Sequence, residues 1–258
     1  MAHGFSDCWV PTDPDVEHDG GHTHNQVWCR CAHSEGGHGY SWQWEATGQS
    51  DALVTDRNIL FHSTGRNYTT IVKGKQSLEP GMVHYWEMCV TSRIFRPDVV
   101  LGIGTQNVSL GQCAIRNVSA LGSNDHSWGL TFSGRIQHCG EQLPYWQNIP
   151  HGCLIGVYLD RSRGHLEFYL NRKGLGVAYT NVPVDPSVKI YPMVCSTGPI
   201  TAIRLNNCTS VHDTLQLRSF QALAKKQPDQ VSILRQIPGF RAILKSYWFL
   251  YLLFHYFE

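Results

Sequence analysis

The side chains best suited to chemistry crowd the start of the chain. Cys8, His22, His24, Cys29 and Cys31 supply the thiolate and imidazole groups that zinc prefers, in an arm (1–39) holding six His and three Cys. The paired spacings of a zinc finger are absent, so a zinc-dependent regulator and a plain polar arm both stand as readings. Asp160 and Glu167 would make a general acid/base pair, but they flank the Arg-Ser-Arg-Gly turn of an expected hairpin, where solvated or salt-bridging roles suit them. Cys139 beside His138 suggests a thiol nucleophile, except that neighbours in a strand point to opposite faces. Gly102-Ile103-Gly104 lacks the third glycine and the following helix of a dinucleotide fingerprint and reads as a sandwich turn. No G-x-S-x-G elbow, Walker loop or H-E-x-x-H occurs. The expectation is a non-catalytic protein that needs no cofactor and no metal.

Composition narrows the partners. With 21 Lys+Arg against 20 Asp+Glu, net charge +1, the chain has no excess of positive charge with which to release counterions, which argues against nucleic acid. The longest apolar run, Tyr247 to Phe257, is about half of the ~20 residues a membrane span needs, which argues against a membrane. No signal peptide opens the chain and the nine Cys form no regular framework. A cytoplasmic or nuclear setting with mostly buried free thiols is therefore expected.

From Tyr40 to about Asn206 short alternating runs recur: NILFHS (58–63), TTIVKG (69–74), HYWEMCV (84–90), DVVLGIG (98–104), SWGLTF (127–132), CLIGVYLD (153–160), HLEFYLN (165–171), GLGVAYT (174–180), KIYPMVC (189–195) and ITAIRL (200–205). Turn pairs such as Ser133-Gly134, Arg163-Gly164 and Lys173-Gly174 separate them, the pattern of a mainly β protein, an antiparallel β-sandwich. After Asn207 the period changes. Residues 213–227 favour a helix capped by Asp213 and stopped by Pro228, and a second helix starts at Pro238. The expected organisation is an arm (1–39), a sandwich (40–207), a small α-helical module (208–250) and an apolar tail (251–258).

HYWEM (84–88), LGIG (101–104), SWGL (127–130), IGVYLD (155–160), GHLEFYLN (164–171), LGVAY (175–179) and YPMVCST (191–197), in this order, resemble a SPRY domain. Trp86, Trp128, Phe168 and Tyr191 are expected to be core aromatics of that sandwich. Thr214-Leu215, Ser219 and Leu223 fit the T/S-L-x-x-x-C/S-x-x-x-aliphatic pattern of the elongin-binding box that begins a SOCS box. Spaced i, i+4, i+8, the last three line one helix face. Together with DCW (7–9), SWQWE (41–45) and NRK-x-x-GVA (171–178), these segments resemble the SPRY domain-containing SOCS box family, and one paralogue branch of it, from Asp7 to about Leu250.

The resemblance implies a substrate-recognition adaptor of a cullin-RING ubiquitin ligase. A short peptide segment of a substrate protein would bind the SPRY loops, and elongin C, with elongin B, would bind Thr214, Leu215, Ser219 and Leu223. A cullin with its RING protein would meet the segment Leu234, Ile237, Pro238. Both prolines of the family's Leu-Pro-x-Pro cullin segment are replaced here, by Arg235 and Ile237, which leaves cullin choice open. The family's substrate pocket maps to Ser63, Gly65, Asn117, Thr197, Gly198 and Pro199, where the usual side chains are missing, and the substrate face is expected on the three loops around Ser63–Tyr68, Asn117–Asn124 and Thr197–Ile200. A SPRY peptide-binding scaffold that no longer recruits a ligase is the alternative.

Overall fold

The computed structural model describes residues 41–45, 51–62, 69–92, 99–109, 118–150, 152–198, 200–234 and 236–250. The Cys/His arm, Ser63, Gly65, Tyr68, Asn117, Pro199, Arg235 and the tail lie outside them. In chain order the strands are β1 (Trp44–Glu45), β2 (Ala52–Val54), β3 (Asn58–Phe61), β4 (Thr70–Gly74), β5 (Met82–Val90), β6 (Val99–Thr105), β7 (Ser127–Thr131), β8 (Arg135–His138), β9 (Glu141–Pro144), β10 (Leu154–Asp160), β11 (His165–Leu170), β12 (Lys173–Tyr179), β13 (Ile190–Ser196) and β14 (Thr201–His212). Among the described residues the helices α1 (Leu215–Lys226), α2 (Pro228–Leu234) and α3 (Pro238–Ser246) follow.

Two seven-stranded sheets face each other, ordered β1-β4-β13-β6-β7-β8-β9 and β12-β11-β10-β5-β14-β3-β2, with antiparallel pairing throughout. All ten expected runs form strands. Inward-facing Trp86, Met88, Leu101, Ile103, Trp128, Val157, Phe168 and Val194 fill the space between the sheets. Tyr191 is the exception among the four expected core aromatics: it is half-buried, with the Lys73 ammonium 5.0 Å from its ring centre.

Close approach explains the glycines of the LGIG run, which lies inside β6 and is not a turn. A Cβ on Gly102 would collide with the Trp128 carbonyl oxygen of β7. The β11–β12 turn falls at Asn171-Arg172, two residues before the expected Lys173-Gly174, and both residues adopt positive φ (48° and 69°), as a tight hairpin requires. β14 carries the sandwich on to His212, so its last turn leads straight into α1.

The outer face of the second sheet is not solvated. Val83, Tyr85, Tyr158 and Tyr169 alternate with the inward set and pack under Leu217, Phe220, Ala224, Val231, Leu244 and Tyr247–Leu250 of the helical module. Beneath them Glu87, fully buried, accepts hydrogen bonds from Tyr85 Oη (2.8 Å), Arg172 Nε (2.8 Å), Arg172 Nη2 (3.2 Å) and Asn207 Nδ2 (2.8 Å). Alternation alone would place Glu87 in water; the module over it makes the ion pair internal.

His84, on the inward side of β5, donates from Nε2 to the Glu79 carbonyl (2.9 Å) and accepts the Ser210 hydroxyl at Nδ1 (2.7 Å), partners that suit the neutral ring. Burial lowers its pKa to about 4, against the Glu79 hydrogen bond that raises it, with the Arg161 charge lowering it further. The unfolded chain takes up a proton below pH 6.5 that the folded one refuses. His84 thus contributes stability above pH 6.5 that is lost as pH falls through 4. Urea unfolding should show this decline between pH 7 and 4, and His84→Gln should flatten it.

Candidate functional site: two exposed faces on one scaffold

Helix α1 is built from the cap inward. Thr214, not Asp213, is the N-cap: its extended backbone (φ −113°, ψ 160°) lets Oγ1 accept the Leu217 amide at 3.1 Å. Asp213 instead turns its carboxylate to Arg218, at 2.6 Å from Nε and from Nη2. Gln227 ends the helix, with its amide on the Leu223 carbonyl, and Pro228 opens α2 where only a stop was expected.

The helix has two unlike faces. Leu217, Phe220 and Ala224, spaced i, i+3, i+7, are buried on the sandwich. Leu215 is 83% exposed, and Thr214 and Ser219 are exposed with it. Leu223 sits at the border, half-buried against the docked cluster. Ala222, one turn beyond Ser219, is also exposed and extends the outward row. Its signal was the i+7 spacing from Leu215. A large apolar side chain beside Ser and Ala leaves a shallow surface against which a partner helix can come close. In the segment that follows, Leu234 is half-buried, while Ile237 (45%), Pro238 and Phe240 (37%) are exposed.

The second face is the end of the sandwich where β3 and β13 stop and β4 and β14 start. His62 Nε2 lies 3.3 Å from the Ser196 carbonyl, next to Thr197, and Thr69 Oγ1 donates to the Val118 carbonyl at 2.7 Å. Ser196 pairs with Thr70 across the sheet and its hydroxyl lies 3.1 Å from that of Thr201. The chain ends flanking the three expected substrate loops therefore meet at one place. Thr197 and Gly198 themselves are buried; among the described residues the apolar groups exposed there are Val118 (48%) and Ile200 (51%), the latter at φ 50°.

The imagined catalytic groups are otherwise engaged. Asp160 Oδ1 accepts the Ser162 and Arg163 amides while Oδ2 lies 2.7 Å from Arg218 Nη1, and Glu167 accepts the Tyr169 hydroxyl at 3.0 Å. Arg161 of the same turn is buried, its guanidinium donating to the Pro183 and Val188 carbonyls. Cys139 is in the β8–β9 turn at φ 52°, not in a strand, and the His138 ring stacks on Trp128 at 4.8 Å. Burial pushes the thiols of Cys89 and Cys208 up to about 11, away from nucleophilic duty.

A SPRY domain profile matches residues 83–208. The chain is 32% identical over 241 residues to SPRY domain-containing SOCS box protein 3 of Xenopus tropicalis, spanning 92% of this chain and 65% of that protein. To the protein of the same name from Xenopus laevis it is 31% identical over 252 residues, spanning 95% of this chain and 68% of the relative. The chain belongs to the SPRY domain-containing SOCS box protein family. It thus spans slightly under two thirds of the first relative's length. The SPRY domain of human HERC1, a solved structure, overlays 60% of this chain and 92% of its own with a TM-score of 0.49 at 17% identity. The SPRY sandwich carries the loop end, and the helical module after it carries the outward face of α1. No helix among the described residues is long and apolar enough to cross a membrane.

Proposed function

We propose that this protein is the non-catalytic substrate-recognition subunit of an elongin B/C–cullin–RING ubiquitin ligase of the cytoplasm or nucleus. The loop end of the sandwich, around Ser63, Gly65, Tyr68, Asn117, Thr197, Gly198 and Pro199, takes a short segment of the target. Thr214, Leu215, Ser219 and Leu223 of α1 take elongin C. Leu234, Ile237 and Pro238 meet the cullin. Ubiquitin transfer then follows from proximity: two partners held on one rigid body react as if at high local concentration, which marks the target for the proteasome.

The observation that carries this reading is Leu215, 83% exposed on a helix whose opposite face is fully used. A partner that covers this leucine gains free energy in proportion to the apolar area it takes out of water. Wild-type protein is expected to recover elongins B and C from solution, and Leu215→Asp to lose at least tenfold in affinity, as a central anchor worth about 2 kcal/mol or more would. Failure of the wild type to bind them would overturn the reading. The rival, a peptide-binding scaffold without a ligase, is favoured by one feature, the replacement of both cullin-segment prolines by Arg235 and Ile237. Elongins recovered without any cullin would support it.

A further inference from the structure

We propose that Arg218 is a positioning residue that sets the rotation of α1 on the sandwich, and so the direction in which Leu215, Ser219 and Ala222 face; its consequence for partner capture rests on the adaptor reading above. Apolar docking through Leu217, Phe220 and Ala224 holds the helix down, but such contacts are non-directional and tolerate a roll about the helix axis. One residue step is about 100° around a helix, enough to turn the outward row sideways.

Directional bonds on both flanks remove that freedom. Arg218 Nη1 lies 2.7 Å from Asp160 Oδ2 at the β10–β11 turn, while its Nε and Nη2 fork onto both oxygens of Asp213 at 2.6 Å each. Asp160 is itself immobilised by the Ser162 and Arg163 amides at 3.0 and 3.1 Å, so the anchor point belongs to the sandwich and not to a free side chain. One guanidinium thus ties three parts together: sheet, linker and helix. Burial works against its charge, but the bonds to Asp160 and then Asp213 outweigh this and hold its pKa above the usual arginine value. Further bonds are lighter and neutral: Gln221 Nε2 to Tyr158 Oη at 2.6 Å, and Tyr247 Oη to Gln216 Oε1 at 3.2 Å.

Full-length Arg218→Met keeps the apolar stem and removes the fork; Arg218→Lys keeps the charge and can reach one carboxylate. Titration with elongin B/C should show about a tenfold loss for Arg218→Met, and for Arg218→Lys a loss of less than about threefold. Amide exchange should quicken in α1 while β5, β10 and β14 stay as protected as in wild type. Equal affinity and equal α1 exchange in Arg218→Met and wild type would overturn the proposal, as would loss of protection throughout the sandwich. Should the wild type bind no elongin, the adaptor reading falls, and the exchange pattern alone decides whether Arg218 positions the helix.

Discussion

Glu87→Ala is expected to lower the unfolding free energy by about 3–5 kcal/mol, the cost typical of stranding one partner of a buried ion pair. The carboxylate sits at 0% exposure and accepts four hydrogen bonds, two of them from Arg172, which is 5% exposed. Without it the guanidinium keeps its charge at a buried position and loses both hydrogen bonds to the carboxylate. The midpoint in urea should move accordingly. Removing both charges, Glu87→Leu with Arg172→Met, should cost less than Glu87→Ala alone, because no buried guanidinium is then left without its carboxylate. A double variant as unstable as the sum of its parts would show that the pair is not what holds this region.

The second large effect separates two leucines of one helix. Leu217→Ala should destabilise the protein by about 2–5 kcal/mol, since Leu217 is 0% exposed and its loss leaves a cavity in the cluster that joins α1 to the sheet. Leu215→Ala, two positions earlier and 83% exposed, should stay within about 0.5 kcal/mol of wild type. Binding should invert the order: Leu215→Ala weakens elongin capture in a protein as stable as its parent. Leu217→Ala is read by thermal unfolding together with amide exchange, which tells local release of the module from unfolding of the whole. Equal stability of the two variants would mean that the helix does not dock as described.

Much of the fold was legible because the signal is local. Period-two alternation in runs such as HYWEMCV places side chains on alternate faces whatever lies further away, and the turn residues follow from φ alone. Misreadings arose where a residue's role depends on a distant neighbour. The Gly102 and Gly104 pair resembled a turn, but the backbone of β7 at residues 128–129 is what excludes a side chain at Gly102. Arg172 stood out only as part of the NRK-x-x-GVA run and is the counter-ion of Glu87, 85 positions away. Asp213 resembled a helix cap, a local role that Thr214 takes because Arg218 claims the carboxylate.

The candidate faces divide along the same line. The row Leu215, Ser219, Leu223 and the loop positions near Thr197 could be read from spacing and family likeness, because a helix or strand period is a property of consecutive residues. Which of two apolar rows on α1 goes down and which stays up could not be read, since both contain leucine and both have helical spacing. That choice belongs to the outer face of the second sheet, whose tyrosines accept Leu217, Phe220 and Ala224, and to Asp160, which holds Arg218. Burial and pairing are relations between segments brought together only by folding. Leu215 therefore owes its leucine to the sequence and its exposure to the sandwich on which its helix rests.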